Sequence, residues 1–258
     1  MEIKNNIGKL FYKDYYDEVD FGKVMFDNQD KNNDLQIDKT IKNSPLVKIE
    51  KPIRERMDTI LATVQYPGLV TGVGLSHDAK VGYKLGMHFD YTHGMPIVYG
   101  SSVKGVLKTY FKEFYECNPD VDDLIEDIFS GKVRNTEKDK YDDKGKLLKG
   151  YDNKSIYKRD IFFDAVIVSA PKGNGTEGFL EDDSITPHSG LLSNPKPLKM
   201  LKIAPGCKME FRFKLNDHKV NGREYTKEEI LKIFKDILGT VGVGAKTNVG
   251  YGQLKIES

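Results

Sequence analysis

Two short stretches combine residue types suited to holding a phosphate. The first is Gly239-Thr-Val-Gly-Val-Gly-Ala-Lys-Thr-Asn-Val-Gly-Tyr-Gly252, five glycines in fourteen residues with Lys246, Thr247 and Asn248 at its middle. Glycine lets a backbone take positive φ and approach another molecule closely. Ammonium, hydroxyl, side-chain amide and backbone N–H groups gathered on one loop suit an anion. Gly244 and Tyr251 complete this candidate, the tyrosine either as a stacking platform for a base or ribose or as a core residue. A mononucleotide P-loop does not fit. Gly244-Ala245-Lys246-Thr247 is out of step by one residue, and the run leaves a helix and enters a strand rather than the reverse. A dinucleotide fingerprint fails as well, because Thr247 stands where its third glycine belongs. The competing reading is a tight surface turn.

The second stretch is Ile97-Val-Tyr-Gly-Ser-Ser-Val-Lys-Gly105. Ser101 or Ser102 suits an N-cap, and Val103, Val106, Leu107, Tyr110, Phe111 and Phe114 make one apolar helical face. Lys104, Lys108 and Lys112 fall at i, i+4 and i+8, one basic line that ordinarily marks a solvated face. Lys104 is the informative member. A cation in a first helical turn opposes the helix dipole, and a phosphate over the exposed amides would explain it. The candidate phosphate-contacting set is therefore Ser101, Ser102, Lys104, Lys108, Gly244, Lys246, Thr247, Asn248 and Tyr251, which become RNA-binding residues under the family resemblance given below.

Catalytic chemistry has weaker support. Asp78 as a metal-binding carboxylate, or His77, His88 or His93 as an acid–base group, are the catalytic candidates, but no pair among them stands at a recognisable spacing. Cys117 and Cys207 are isolated, without a Cys-x-x-Cys pair, so structural zinc is not expected and no cofactor is assigned. The 258 residues carry 40 basic and 39 acidic side chains, a formal +1, so any anion site must be a local patch. Only six of the cations are arginine. Neither a signal peptide nor an apolar run of membrane length occurs, and two cysteines suit a reducing cytoplasmic setting without membrane partners.

The elements that would position these loops follow from periodicity. An amphipathic N-terminal helix covers 6–16, and 27–43 is a polar loop. A strand runs over 59–74, broken at Pro67-Gly68, and a second extended piece covers 84–91. A helix spans 101–116, and a short acidic one covers 121–129, ended by Gly131. The charged 132–160 stretch is a mobile insertion or a hairpin, with the former as default. Strands follow at 161–168 and 207–215, separated by a long loop that contains 181–188. Thr226 and Glu229 form a capping box for a helix to Leu238, which Gly239 ends, and the closing strand is 252–257. The order without insertions is β-α-β-β-α-β, an α+β ferredoxin-like or RRM-like domain with an N-terminal helix and long insertions. The expected organisation is one domain over 1–258, with its core at about 59–258 and a helical extension over 1–58.

Taken together, Gly-Met-Pro-Ile-Val-Tyr-Gly-Ser-Ser-Val-Lys-Gly (94–105) opening a helix and the C-terminal Gly-Val-Gly-Ala-Lys-Thr-Asn-Val-Gly-Tyr-Gly loop resemble the repeat-associated mysterious proteins (RAMPs) of CRISPR systems. Within that superfamily the chain looks most like the sixth-subunit family of the type III-B (Cmr) effector complex. Asn6-Ile-Gly-Lys-Leu-Phe-Tyr, Tyr66-Pro-Gly-Leu-Val-Thr-Gly-Val-Gly with His77, Phe163-Asp-Ala165, Asp183-Ser-Ile-Thr-Pro-His188 and Pro205-Gly206 carry that likeness. The resemblance implies a non-catalytic subunit that contacts crRNA and target RNA backbones. It would help cap the filament in antiviral defence and pack on the backbone and small subunits of the Cmr complex. A nuclease of the same superfamily is the alternative.

Overall fold

The computed structural model describes residues 6–14, 39–49, 57–74, 83, 85–115, 118–185 and 198–257. In chain order it begins with α1 (Ile7–Lys9), continued by a wider turn over Leu10–Asp14, and β1 (Asp58–Val64). The strands β2 (Val73–Gly74), β3 (Leu85–Gly86) and β4 (Ile97–Val98) lead into α2 (Gly100–Phe114) and α3 (Val121–Ile125). Then come β5 (Lys132–Arg134), β6 (Lys140–Tyr141), β7 (Leu147–Leu148), β8 (Tyr151–Asn153), β9 (Ile161–Phe162) and β10 (Ala165–Ser169). The chain closes with β11 (Leu180–Ile185), β12 (Leu198–Ile203), β13 (Lys208–Lys214), β14 (His218–Val220), β15 (Arg223–Tyr225), α4 (Lys227–Val241) and β16 (Leu254–Ile256).

This is a mixed α/β structure with antiparallel sheets. The main sheet runs β16-β1-β13-β10-β4, with β9 added to β13, and every one of its pairs is antiparallel. α2 and α4 bury the faces their periodicity implies: Val103, Leu107 and Phe111 on one, and Ile230, Phe234, Ile237 and Leu238 on the other. Between them and the sheet, the ring of Phe234 meets Phe111, Phe129, Phe162 and Phe213 at centroid distances of 5.4–6.2 Å. Fully burying a phenylalanine contributes roughly 1.5–3 kcal/mol, so this cluster is a principal source of core stability.

The capping box at Thr226 and Glu229 is present, and Gly131 ends the acidic helix in the left-handed conformation at φ 63°. Other expectations need correction. α4 runs on to Val241, because Gly239 packs in the helix against Ile256 while Gly242 makes the C-cap. The 161–168 strand is split into β9 and β10, with Phe163 and Asp164 between them. The segment read as a long loop contains β11, which pairs along its whole length with β12. Together with β3 and β2 they form a second, four-stranded sheet. Acidic residues hid β11 from periodicity; Lys202 Nζ holds Asp183 at 2.8 Å, and Lys42 holds Asp182. The 132–160 insertion is built of two short hairpin ladders, β5–β8 and β6–β7, rather than an unstructured excursion. Arg134 secures it by donating to Asp139 and to the Gly150 carbonyl.

Candidate nucleic-acid interface

β4 delivers the chain to the start of α2 at Tyr99, which is the N-cap residue and makes no side-chain cap hydrogen bond. Ser101 and Ser102 are therefore first-turn residues, not the cap. The capping carboxylate comes from another element: Asp164, at the break between β9 and β10, accepts the Gly100 N–H at 2.8 Å. Gly100 is required by a close approach, since a Cβ there would lie 2.2 Å from the Phe162 carbonyl oxygen. A negative charge thus already faces the positive end of the helix, which eases the presence of Lys104 in the first turn. The half-buried Lys104 sits with its Nζ 5.6 Å from the Phe162 ring centroid, within cation–π range. Lys112 meets Asp122 at 2.8 Å, while Lys108 reaches Ser130 at 3.3 Å and Glu126 at 3.9 Å. Of the basic line, only Lys104 lacks a carboxylate partner among the described residues.

The glycine-rich loop is folded against its own chain. A Cβ on Gly252 would fall 1.9 Å from the Val243 carbonyl oxygen, on Gly242 2.3 Å from that of Gly252, and on Gly244 2.4 Å from that of Val70. Ala245 N–H donates to Val70 O at 2.7 Å and Gly252 N–H to Gly68 O at 2.8 Å. Gly242 and Gly252 serve packing within the loop itself, and Gly244 serves packing on Val70. Lys246 turns the chain in the left-handed conformation at φ 61°, and Thr247–Val249 form one tight helical turn with Asn248 exposed. Lys246 also has no ion-pair partner among the described residues. Tyr251 is buried, 7% exposed, and its hydroxyl donates to Asp183 at 2.8 Å beside the buried Lys202. Burial first, and then the Asp183 contact, raise its pKa to about 12. The core reading of Tyr251 therefore holds, and the stacking reading does not.

No hydrogen bond joins the two loops directly among the described residues. They are linked through an intermediate patch that spacing did not reveal. Val70 receives the glycine loop, neighbouring Thr71 accepts the His88 N–H at 2.9 Å, and the His88 ring stacks on Tyr99 at 4.1 Å, 24° from parallel. Burial lowers the His88 pKa against the raising influence of Asp164. His88 Nδ1 is buried without a hydrogen-bond partner among the described residues. His93 Nδ1 is held by Asp90 at 2.8 Å, and His77 and Asp78 lie outside the described residues, as do Thr186-Pro187-His188 and Cys117. Cys207 is buried, which raises its thiol pKa to about 12, so it is no nucleophile. No group of three or more His, Cys, Asp or Glu is placed to hold a metal, and no helix is long and apolar enough to cross a membrane, among the described residues.

Comparison with solved structures places this fold beside CRISPR components. A chain from a cryo-EM structure of the type III-B Cmr-beta complex bound to cognate target RNA aligns with a TM-score of 0.50 at 19% identity. The alignment covers 93% of this chain but 66% of that one, so the present sequence spans slightly under two thirds of that relative. Cmr6 from Pyrococcus furiosus aligns at 18% identity and a TM-score of 0.36, over 77% of this chain and 97% of its own. A chain of a type IV-B CRISPR complex aligns at 12% identity and a TM-score of 0.44, over 78% and 89%. No curated protein sequence gives a significant match. The family model described as RAMP superfamily matches residues 61–255, from within β1 to within β16, and the chain belongs to that superfamily.

Proposed function

We propose that this chain is a non-catalytic, RNA-binding structural subunit of a type III-B CRISPR (Cmr) effector complex in the cytoplasm. In this reading it contacts the crRNA and target RNA backbones, caps one end of the subunit filament and packs on the backbone and small subunits. It is one domain over 1–258 with a ferredoxin-like βαββαβ core. The order β16-β1-β13-β10, antiparallel throughout with α2 and α4 on one face, supports that core.

One observation carries the RNA-binding reading. Lys104 and Lys246 stand without carboxylate partners among the described residues, whereas Lys108, Lys112, Lys202 and Lys208 are each paired. On a surface of balanced charge, unpaired cations are where an external phosphate is favoured. The test is a gel shift with labelled guide-like single-stranded RNA at two salt concentrations, with and without divalent metal. Replacing both lysines by glutamate should weaken binding and reduce the logarithmic salt slope by about 1.4, near 0.7 for each lost phosphate contact. Unchanged, salt-insensitive affinity in the double variant would refute the assignment. RNA shortening that survives repurification and disappears in His77→Ala or Asp78→Ala would replace it with an endoribonuclease.

A further inference from the structure

A pocket of about 550 Å³ opens beside the start of α2, lined by Asn6, Lys9, Tyr12, Phe89, Tyr91 and Tyr99. Its volume falls in the range of about 300–1,000 Å³ usual for small-ligand sites. Its walls are aromatic and open to solvent: Tyr91 is 99% exposed, Tyr12 42% and Tyr99 40%. Two of these rings are held from behind. His88 covers one face of Tyr99, so what Tyr99 offers the pocket is its other face and its hydroxyl. Tyr12 donates its hydroxyl to the Met87 carbonyl and stands edge-on to Phe11 and Phe89 at 5.2 and 5.8 Å. Fixed rings bind flat ligands at a low cost in side-chain entropy.

The polar groups at the rim suit a nucleotide. Lys9 is 61% exposed and only loosely paired with Asp14 at 3.5 Å. The Asn6 side-chain oxygen accepts the Lys9 N–H, which leaves its NH₂ group for a base edge. Asp90 adds a carboxylate acceptor, already oriented by the His93 backbone and ring. Position also matters. Tyr99 is the N-cap residue of α2, and Lys104 follows five residues later, about 7 Å along the helix axis.

We propose that this pocket takes an unpaired nucleobase of single-stranded RNA, stacked on Tyr99 and Tyr91, with Lys9 at the flanking phosphate. The proposal rests on the RNA-binding reading above and adds a base-recognition site that the phosphate contacts do not require. The full chain is titrated with a fluorescent oligouridine and with a base-free spacer backbone of equal length. Stacking on aromatic side chains predicts that wild type binds the oligouridine about 5- to 150-fold more tightly than the base-free strand. That preference should shrink in Tyr99→Ala and in Tyr91→Ala, whose side chain is too exposed to affect folding, and survive in Tyr99→Phe. Photocrosslinking of 4-thiouridine RNA should place adducts on Tyr12, Tyr91 or Tyr99. Equal affinity for both strands, or a base preference that persists in both alanine variants with crosslinks elsewhere, would overturn the pocket and leave phosphate binding standing. Failure of wild type to bind either strand would sink the RNA-binding reading and the pocket together.

Discussion

His218 is the residue whose titration should be most directly legible in stability. Its ring is fully buried on β14, with Nδ1 3.2 Å from Asp127 and Nε2 3.1 Å from Asp160. Both carboxylates lie within ion-pair distance of the ring. Lys154 completes the group by pairing with Asp127, its Nζ 3.4 Å from His218 Nδ1. With the imidazolium present, two cations balance two carboxylates; with a neutral ring, a net negative charge stays buried. Burial alone pushes the His218 pKa down, but Asp127 and Asp160 outweigh it and raise the value to about 8. Against an unfolded value near 6.5, that elevation corresponds to roughly 2 kcal/mol. Because the folded value is the higher one, the stabilisation is complete below about pH 6.5 and is lost as pH rises through 8. Burial pushes Asp127 up, but its contacts with His218 and Lys154 hold it below the ordinary carboxylate range, so it titrates under this window. Urea unfolding should show stability falling by about 2 kcal/mol between pH 6 and pH 9, and Tm by roughly 4–8 °C. His218→Gln should be less stable than wild type below about pH 8, where the wild-type ring is charged, and should lack this drop. A flat wild-type profile, or a variant that retains the full wild-type drop, would refute the reasoning.

Three further outcomes separate packing from binding. Gly252→Ala should destabilise by more than about 2 kcal/mol in chemical denaturation, since its Cβ would meet Val243 O at 1.9 Å with φ at 73°. Its folded fraction should still bind RNA, because that glycine serves the fold; loss of binding at full stability would contradict this. Tyr251→Phe removes the hydroxyl that Asp183 accepts and should cost about 1–2 kcal/mol in thermal denaturation, with RNA affinity unchanged by gel shift. Replacing 140–148 by a short glycine linker should shift stability by no more than about 0.5 kcal/mol, because β6 and β7 are wholly exposed and Arg134, Asp139 and Gly150 stay in place.

What was legible in the sequence is what short-range periodicity encodes. The apolar stripes of α2 and α4, the Thr226–Glu229 capping box, the alternation of β13 and the left-handed Gly131 all depend on residues within a few positions of one another. Illegible features depend on partners far along the chain. The true cap of α2 is Asp164, 64 positions away, and no local rule distinguishes it from Ser101. β11 reads as a loop because its acidic residues find lysines on β12 and at Lys42, so opposite-charge pairing across the chain stands in for an apolar face.

The candidate site divides along the same line. Lys104 and Lys246 drew notice from their settings, one in a first helical turn and one among glycines, and among the described residues both stand without an ion-pair partner. The glycines themselves were assigned the wrong partner. Positive φ and close approach were read correctly from composition, but a glycine permits approach by any backbone, and here Val70, Val243 and Gly252 of the same chain fill the space. What the packed loop displays is a left-handed Lys246 and an exposed Asn248, beside the 66–72 segment. That segment also carries Thr71, which fixes His88 under Tyr99 at the mouth of the aromatic pocket. The glycine-rich loop is thus connected, through Val70, Thr71 and His88, to Tyr99 at the start of α2.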